Sequence, residues 1–242
     1  MIKKIILILA LTFFKISFAQ TLEGKIVYQA SLNTELYVLQ LMYDSKFSEK
    51  IKRSKIQGAL NAKPMNFFLF FKGNESLYRA EFDLNEKRDM GLGMNLLGLV
   101  AGDDHICYTN QKTKENFLQS FWMDNVIVNV KPLLWKLTKE KKNIGKYTCY
   151  KATAILKEES VKGGFLSNPI IAWYTPQIPM GFGVQNYGGL PGLTLELTQH
   201  TERGILFYKA TKIELNPKEK IIIKKPKGKE ITHKEFIELN KR

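Results

Sequence analysis

From Leu193 to Gln199 apolar and polar residues alternate. Leu193, Leu195 and Leu197 fall on one side of an extended chain and Thr194, Glu196 and Thr198 on the other, the period of a half-buried β-strand. The same period places Ile26, Tyr28 and Ala30 on one face of a strand over Leu22–Leu32. Met65–Phe71 and Leu77–Phe82 flank Lys72-Gly73-Asn74-Glu75, a turn sequence, and read as a hairpin. Its second arm alternates through Tyr78, Ala80 and Phe82. Its first arm carries an unbroken apolar run, Phe67 to Phe71, as if both faces were covered. Further short strands are predicted at His105–Asn110, Asn116–Met123, Val126–Val130, Tyr147–Leu156 and Ile170–Thr175. Leu193–Gln199, Ile205–Lys209 and Thr211–Leu215 read as an antiparallel meander, with Ile221–Lys225 as a lysine-flanked edge strand. Leu36–Tyr43 fits a strand or a helix. Ser48–Leu60 predicts a short helix, with Ser48 as its cap and Ile51, Ile56, Ala59 and Leu60 as an imperfect apolar stripe. Thr232 and Glu235 have the spacing of a capping box and open a helix to about Asn240. Many strands joined by short connections predict a mainly β fold: an antiparallel curved sheet or partial barrel with one or two short helices.

Two segments break the alternation. Leu190-Pro191-Gly192-Leu193 sets proline and then glycine at the centre of a tight turn, the pattern of type II, and it follows a Pro- and Gly-rich loop over Pro176–Gly189. Asp89–Gly102 is apolar and broken by glycines. It reads either as a piece tucked under the sheet or as a lid that touches lipid or a hydrophobic ligand through Leu96 and Leu97. Ser160–Pro169 is expected to be a loop.

The N-terminus changes the compartment. Lys3 and Lys4 precede the uncharged run Ile5 to Phe14, and Ser17 and Ala19 supply the small residues of a cleavage site before Gln20, which together describe a secretory signal peptide. The run is short for a membrane span and ends at Lys15. One β-rich domain over 20–242, with no transmembrane span after cleavage, is therefore expected in the periplasm or outside the cell. The formal charge is +14. Arginine, the better reader of phosphates and bases, is scarce relative to lysine, so nucleic acid is not the expected partner. A lysine-rich solvated face, or attraction to anionic envelope surfaces, accounts for the charge. Cys107 and Cys149 are the only cysteines. Export permits a disulfide between them, and two buried thiols fit equally well.

Several motifs in order carry a family resemblance. Trp135 is followed by a charged linker and then by Gly145, Tyr147, Cys149, Lys151 and Ala152. Ala172-Trp173-Tyr174-Thr175 precedes Ile178-Pro179. Gly183 leads to Tyr187-Gly188-Gly189-Leu190-Pro191-Gly192-Leu193. The opening strand and the Ile231–Phe236 tail also fit. The chain resembles the GLPGLI family of exported Gram-negative envelope proteins, most strongly over 135–199. It departs at Val184, where the family commonly has proline, and at Thr194, where its namesake isoleucine would stand. The resemblance implies an envelope protein with no assigned activity. The expected architecture also invites comparison with periplasmic lipoprotein carriers, which wrap a sheet around an apolar cavity; fold alone does not establish function.

Local chemistry adds little. His105, His200 and His233 are far apart, and neither a zinc spacing nor a Gly-x-Ser-x-Gly elbow is present. Asp103-Asp104-His105 is a compact acidic–imidazole cluster that fits a solvated turn better than a cation site. No metal, cofactor or catalytic group is expected. Trp173, Tyr174, Gln185, Asn186 and Tyr187, with Leu96 and Leu97, form the candidate binding set, and Gly189, Leu190, Pro191, Gly192 and Leu193 the signature turn. Three readings follow. One is a non-enzymatic envelope protein that takes a lipid, another apolar or amphipathic ligand, or a peptide, within the curved sheet. The second is an adaptor docking on an outer-membrane protein, and the third is a hydrolase without a legible motif.

Overall fold

The strand that opens the folded chain is its seam. In a computed structural model, which describes residues 21–81, 95–120, 126–159, 165–232, 235, 236 and 238, β1 (Glu23–Asn33) lies inside a 12-stranded sheet. On one side a meander runs outward through β2 (Met65–Lys72), β3 (Glu75–Ala80), β4 (His105–Asn110), β5 (Glu115–Ser120) and β6 (Val126–Asn129). The chain then starts again at the opposite edge with β7 (Lys136–Ile144). It returns through β8 (Tyr147–Glu159), β9 (Phe165–Thr175), β10 (Leu193–Thr201) and β11 (Gly204–Leu215), which pairs with β1. A last strand, β12 (Lys229–Thr232), adds to β6 in parallel and makes the sheet mixed. Among the described residues three short helices accompany it: α1 (Glu35–Tyr43), α2 (Glu49–Leu60) and α3 (Leu96–Ala101).

The connection from β6 to β7 forces the sheet to curl. The two strands stand ten places apart in the sheet order, a separation of roughly 48 Å if the sheet were flat. Residues 130–135 join them and reach at most about 25 Å. The sheet must therefore bring its two wings together, and it does so without closing into a barrel. Register shifts at Val27/Tyr28, Thr194/Glu196 and Leu137/Lys141 supply local bends and added twist.

The concave face is the core. Ile26, Tyr28 and Ala30 of β1, Phe67, Leu69 and Phe71 of β2, Leu206 and Tyr208 of β11, and Leu193, Leu195 and Leu197 of β10 are all buried there. The apolar run of β2 alternates in fact: Phe68 and Phe70 face outward, half-buried, under Lys25 at 5.0 and 5.8 Å, with Arg79 also over Phe70 at 5.9 Å. Cations thus cover the second face that the run Phe67–Phe71 appeared to need.

Several expected elements are corrected. Leu36–Tyr43 resolves as helix. Ser48 occupies the cap position of α2 but makes no side-chain capping bond. The charged linker after Trp135 is an edge strand, β7, whose many lysines hid a strand that buries little. Residues 165–169, expected in a loop, belong to β9, including Pro169. The last meander has two strands, because Thr211 is a bulge within β11 and its hydroxyl donates to the Val27 carbonyl at 3.2 Å. Ile221–Lys225 forms no strand. It crosses the outer face of β4–β6, where Ile223 packs on Tyr108, Phe117 and Ile127, and Lys225 lies 5.2 Å from the Phe117 ring. Cys107 and Cys149 are free buried thiols on β4 and β8, seven places apart in the sheet order. The capping box is present: the Glu235 amide donates to Thr232 Oγ1 at 3.2 Å and the Thr232 amide to the Glu235 carboxylate at 2.7 Å. Residues 1–20, the region of the expected signal peptide, residues 82–94, 121–125 and 160–164, and most of the C-terminal segment lie outside the described residues.

Candidate functional site

The signature turn is built differently from type II. The Gly192 amide donates to the Leu190 carbonyl at 2.8 Å, which closes a three-residue turn around Pro191. Gly192 has φ of 152°, and the Leu193 amide turns away to the Ile178 carbonyl at 3.0 Å. The preceding loop folds back along its own backbone: the Gly189 amide donates to Gly181 at 2.8 Å and the Thr194 amide to Phe182 at 3.1 Å. A side chain at Gly188 would strike the Gly181 carbonyl at 2.7 Å, so the two strands of the loop touch backbone to backbone.

This loop fills the mouth of the curled sheet. Ile178, Phe182, Val184 and Leu190 are buried in the core, and the Phe182 ring lies 5.9 Å from that of Phe71. Gln185, at φ of 52°, donates to the Ala101 carbonyl at 2.9 Å and to the Tyr208 hydroxyl at 3.0 Å, which ties the loop to α3 and β11. Leu97 of α3 is fully buried. Tyr28 donates to the Thr194 carbonyl at 2.6 Å. Burial pushes the hydroxyls of Tyr28, Tyr78 and Tyr208 far above the ordinary tyrosine range, so they remain protonated.

A cleft of about 420 Å³ opens outside the plug, between the loop and the β4–β5 turn. Its walls include Asn110, Gln111, Lys114, Asn116, Pro132, Gly181, Asn186, Gly189 and Leu190. The Asn110 carboxamide oxygen accepts from the amides of Lys112 and Thr113 at 3.0 and 3.1 Å and shapes the turn, and Lys114 completes it at φ of 60°. Asn186 spans the two walls. Its Nδ2 donates to Asn116 Oδ1 at 2.7 Å and to the Phe117 carbonyl at 3.1 Å, while its buried Oδ1 has no protein partner. Asn116 in turn donates to Val130 at 3.0 Å. The Lys225 ammonium holds the Glu115 carboxyl below the usual carboxylate value. Trp135, at the entry to β7, donates its indole N–H to the Gly188 carbonyl at 2.9 Å and so steadies the loop from the opposite wing.

Of the seven expected binding residues, Asn186 alone lines this cleft. Tyr174, Tyr187 and Leu97 are buried in the core and Gln185 is a strut. Leu96 opens α3 and is partly buried. Trp173 lies half-buried with Lys142 Nζ 4.4 Å from its ring, and Lys142 also pairs with Glu196. Gly189 and Leu190 of the signature line the cleft as well. The turn residues Asn110, Gln111 and Lys114 and the strand residue Asn116 were not anticipated. An asparagine within a strand at 116 was the only available signal, and nothing in the sequence joins it to Asn186, 70 residues away.

The acidic–imidazole cluster lies elsewhere, at the start of β4. Asp104 accepts from Ser120 and lies 3.5 Å from His105 Nε2. Burial lowers the His105 pKa below its ordinary 6.5, outweighing Asp104 and Asp103. The unfolded chain therefore binds this proton more tightly than the folded one. The contribution of neutral His105 is complete above about 6.5 and is lost as the pH falls below it. The urea midpoint is expected to drop between pH 7.5 and 5.5, and His105→Gln should flatten that drop. The shifted carboxylates Glu115, Glu214 and Glu235 titrate below this window. Among the described residues no group of three or more His, Cys, Asp or Glu side chains is placed to hold a metal ion.

A model of a family described as "Protein of unknown function (Porph_ging)" matches residues 135–168 and 166–196. No curated protein is significantly similar to the chain. Among solved structures, PNGF-II in a P21 crystal form is similar over 90% of this chain and 32% of its own, at 16% identity and a TM-score of 0.50. The same protein in a C2 form gives 89%, 32%, 16% and 0.46. The chain thus spans about a third of the length of PNGF-II, and the likeness is one of fold. The family-model match covers β7 to the start of β10, the stretch that carries the GLPGLI-like motifs, and it fits that resemblance within a family of unassigned function.

Proposed function

We propose that this is an exported, non-enzymatic binding protein of the GLPGLI type, which holds an extended peptide in the cleft between its signature loop and the β4–β5 turn. The observation that carries this reading is one cleft lined by Asn110, Gln111, Asn116 and Asn186 on one side and by the glycine backbone at 181, 188 and 189 on the other, with the Asn186 Oδ1 left without a protein partner. A carboxamide both donates and accepts, as a peptide group does, and Pro132 and Leu190 add apolar wall for a side chain. The interior of the sheet is filled by aromatic side chains, the loop and α3, which moves the ligand from the interior to the rim. Burial pushes the Cys149 thiol up to about 11 and the Cys107 thiol further, so neither is poised as a nucleophile.

The test is an amide-resolved NMR titration of the protein with a pool of short random-sequence peptides. Shifts concentrated at 109–116 and 181–190 are expected. Gln111→Ala with Lys114→Ala should weaken binding about tenfold, or about 1.4 kcal/mol. Shifts confined to other surfaces, or a response to free monosaccharides and none to peptides, would remove this reading.

A further inference from the structure

Seven of the nine residues of helix α1 are apolar or aromatic, all but Glu35 and Gln40, yet the helix packs on one side only. Tyr37, Val38 and Leu41 turn toward the protein, where the helix rests on α2 and β11. Leu36, Leu39, Met42 and Tyr43 form a row on its opposite face and are 64, 45, 55 and 85% exposed. Four large apolar side chains on about two turns of exposed helix are costly in water and mark a contact surface. Leu60, at the end of α2, extends the row across the helix pair, because Val38, Leu39 and Leu60 border one open groove with Leu32.

The border of this patch is basic. Thr34 donates its hydroxyl to the Ala59 carbonyl at 3.3 Å, so the end of α2 lies beside the start of α1 and the helices run antiparallel. The start of α2 therefore lies beside Met42 and Tyr43. Lys50, Arg53, Gln57 and Leu60 are spaced along one exposed face of α2, and Lys46 sits in the link between the helices. From Thr34 to Lys63 the pair carries Lys46, Lys50, Lys52, Arg53, Lys55 and Lys63 against Glu35, Asp44 and Glu49. An apolar ridge with cations along its flank is the pattern of a helix that lies in the plane of a lipid surface. A protein of net charge +14 would reach such a surface by long-range attraction when the surface is anionic. Among the described residues no helix is long and apolar enough to cross a membrane, so the contact is peripheral.

We infer that the α1–α2 hairpin docks the protein on an anionic lipid bilayer, with Leu36, Leu39, Met42, Tyr43 and Leu60 entering the interface and Lys46, Lys50 and Arg53 facing the headgroups. The cleft of the signature loop belongs to other elements, so the two readings stand or fall separately.

The buried thiols Cys107 and Cys149 leave a new surface cysteine free to react alone. The full-length Tyr43→Cys protein, labelled with an environment-sensitive fluorophore, is mixed with vesicles containing phosphatidylglycerol or with pure phosphatidylcholine vesicles. A several-fold rise and blue shift are expected with the first and little change with the second. Lys50→Glu with Arg53→Glu, or salt, should reduce the response at least about tenfold, as expected when several headgroup contacts are lost. Leu36→Ser with Met42→Ser should abolish it while leaving the urea midpoint near that of the parent, since both sites are exposed. Three results would overturn the inference. One is an unchanged signal with anionic vesicles. Another is equal signals on both vesicle types. The third is a rise with protein concentration in the absence of vesicles, which would assign the patch to a second copy of the chain.

Discussion

Replacing Phe71 by alanine is expected to destabilise the protein by about 3–5 kcal/mol, the range for a large aromatic removed from a closed core. Phe71 is fully buried on β2. Its ring covers Gly24 so closely that a Cβ there would sit 2.5 Å from Cζ, and on its far side it meets Phe182 of the signature loop. The truncation thus opens a void between the sheet and the plug that fills its mouth. The neighbouring Phe70→Ala is the control. Phe70 is half-buried on the outer face, in contact with Phe68 and under Lys25 and Arg79, and its loss should cost about 1 kcal/mol. Urea denaturation of the two variants measures the contrast. Equal costs would show that the inside and outside of β2 have been assigned wrongly. Hydrogen exchange adds a second readout: Phe71→Ala should raise exchange at the Leu193 and Thr194 amides, whose acceptors Ile178 and Phe182 lie in the loop.

Gly192→Ala should cost about 2–4 kcal/mol, with the urea slope unchanged and the midpoint lowered. Two effects add. At φ of 152° an L side chain is strained. The new Cβ would also stand 2.2 Å from the Thr175 carbonyl oxygen and 2.8 Å from the Pro176 nitrogen, both backbone atoms with no room to retreat. Gly189→Ala separates the two effects. Gly189 has φ of 92° with open space around the added carbon, so only the strain of about 1 kcal/mol remains. Gly58→Ala, within α2 and facing open space, should instead stabilise by up to about 1 kcal/mol. If Gly192→Ala behaves like Gly189→Ala, the close approach of the signature turn to β9 is not what holds the glycine there.

The cleft proposed for a peptide and the hairpin proposed for a lipid surface occupy separate elements of the chain. The hairpin is inserted between β1 and β2, while the cleft is formed by the β4–β5 turn and the loop before β10. Neither uses the interior. The interior is committed to stability, with Tyr28 bonded to Thr194 and Gln185 bonded to Tyr208 across it. The departure at Thr194 is not compensated in this way. Its hydroxyl is buried beneath Gly183, where a Cβ would stand 2.8 Å from Thr194 Oγ1, and has no hydrogen-bond partner, while the Tyr28 hydroxyl bonds only the Thr194 backbone carbonyl.

How far the sequence alone reaches depends on the range of the interaction that decides each feature. Local alternation was enough to identify β1, β3 and the start of β10, because each buries one face and period two leaves a direct trace, while β2 was read from its apolar run and the turn that follows it. The capping box at Thr232 and Glu235 was legible for the same reason: its two partners are three residues apart. β7 was not legible, since an edge strand of lysines buries nothing that a pattern could show. The apolar run Ile221–Ile223 fits an edge strand, but Ile223 packs on the outer face and Ile222 stays exposed, so the segment does not join the ladder. The signature predicted a turn and a need for glycine correctly. The turn type was decided by Ile178, whose carbonyl takes the Leu193 amide that a type II turn would donate to Leu190. The binding residues were the least legible. Aromatics near the signature pointed to a pocket, yet Tyr174 and Tyr187 proved to be core, because the curl of the sheet is set by a short connection between its two distant wings. By itself the sequence determined a β-rich chain, the positions of most strands and a turn at Pro191-Gly192, all consequences of neighbours along the backbone. Only the tertiary structure decided that the thiols stay apart, that the loop plugs the sheet and that Asn186 meets Asn116, since those depend on which strands the curl brings face to face.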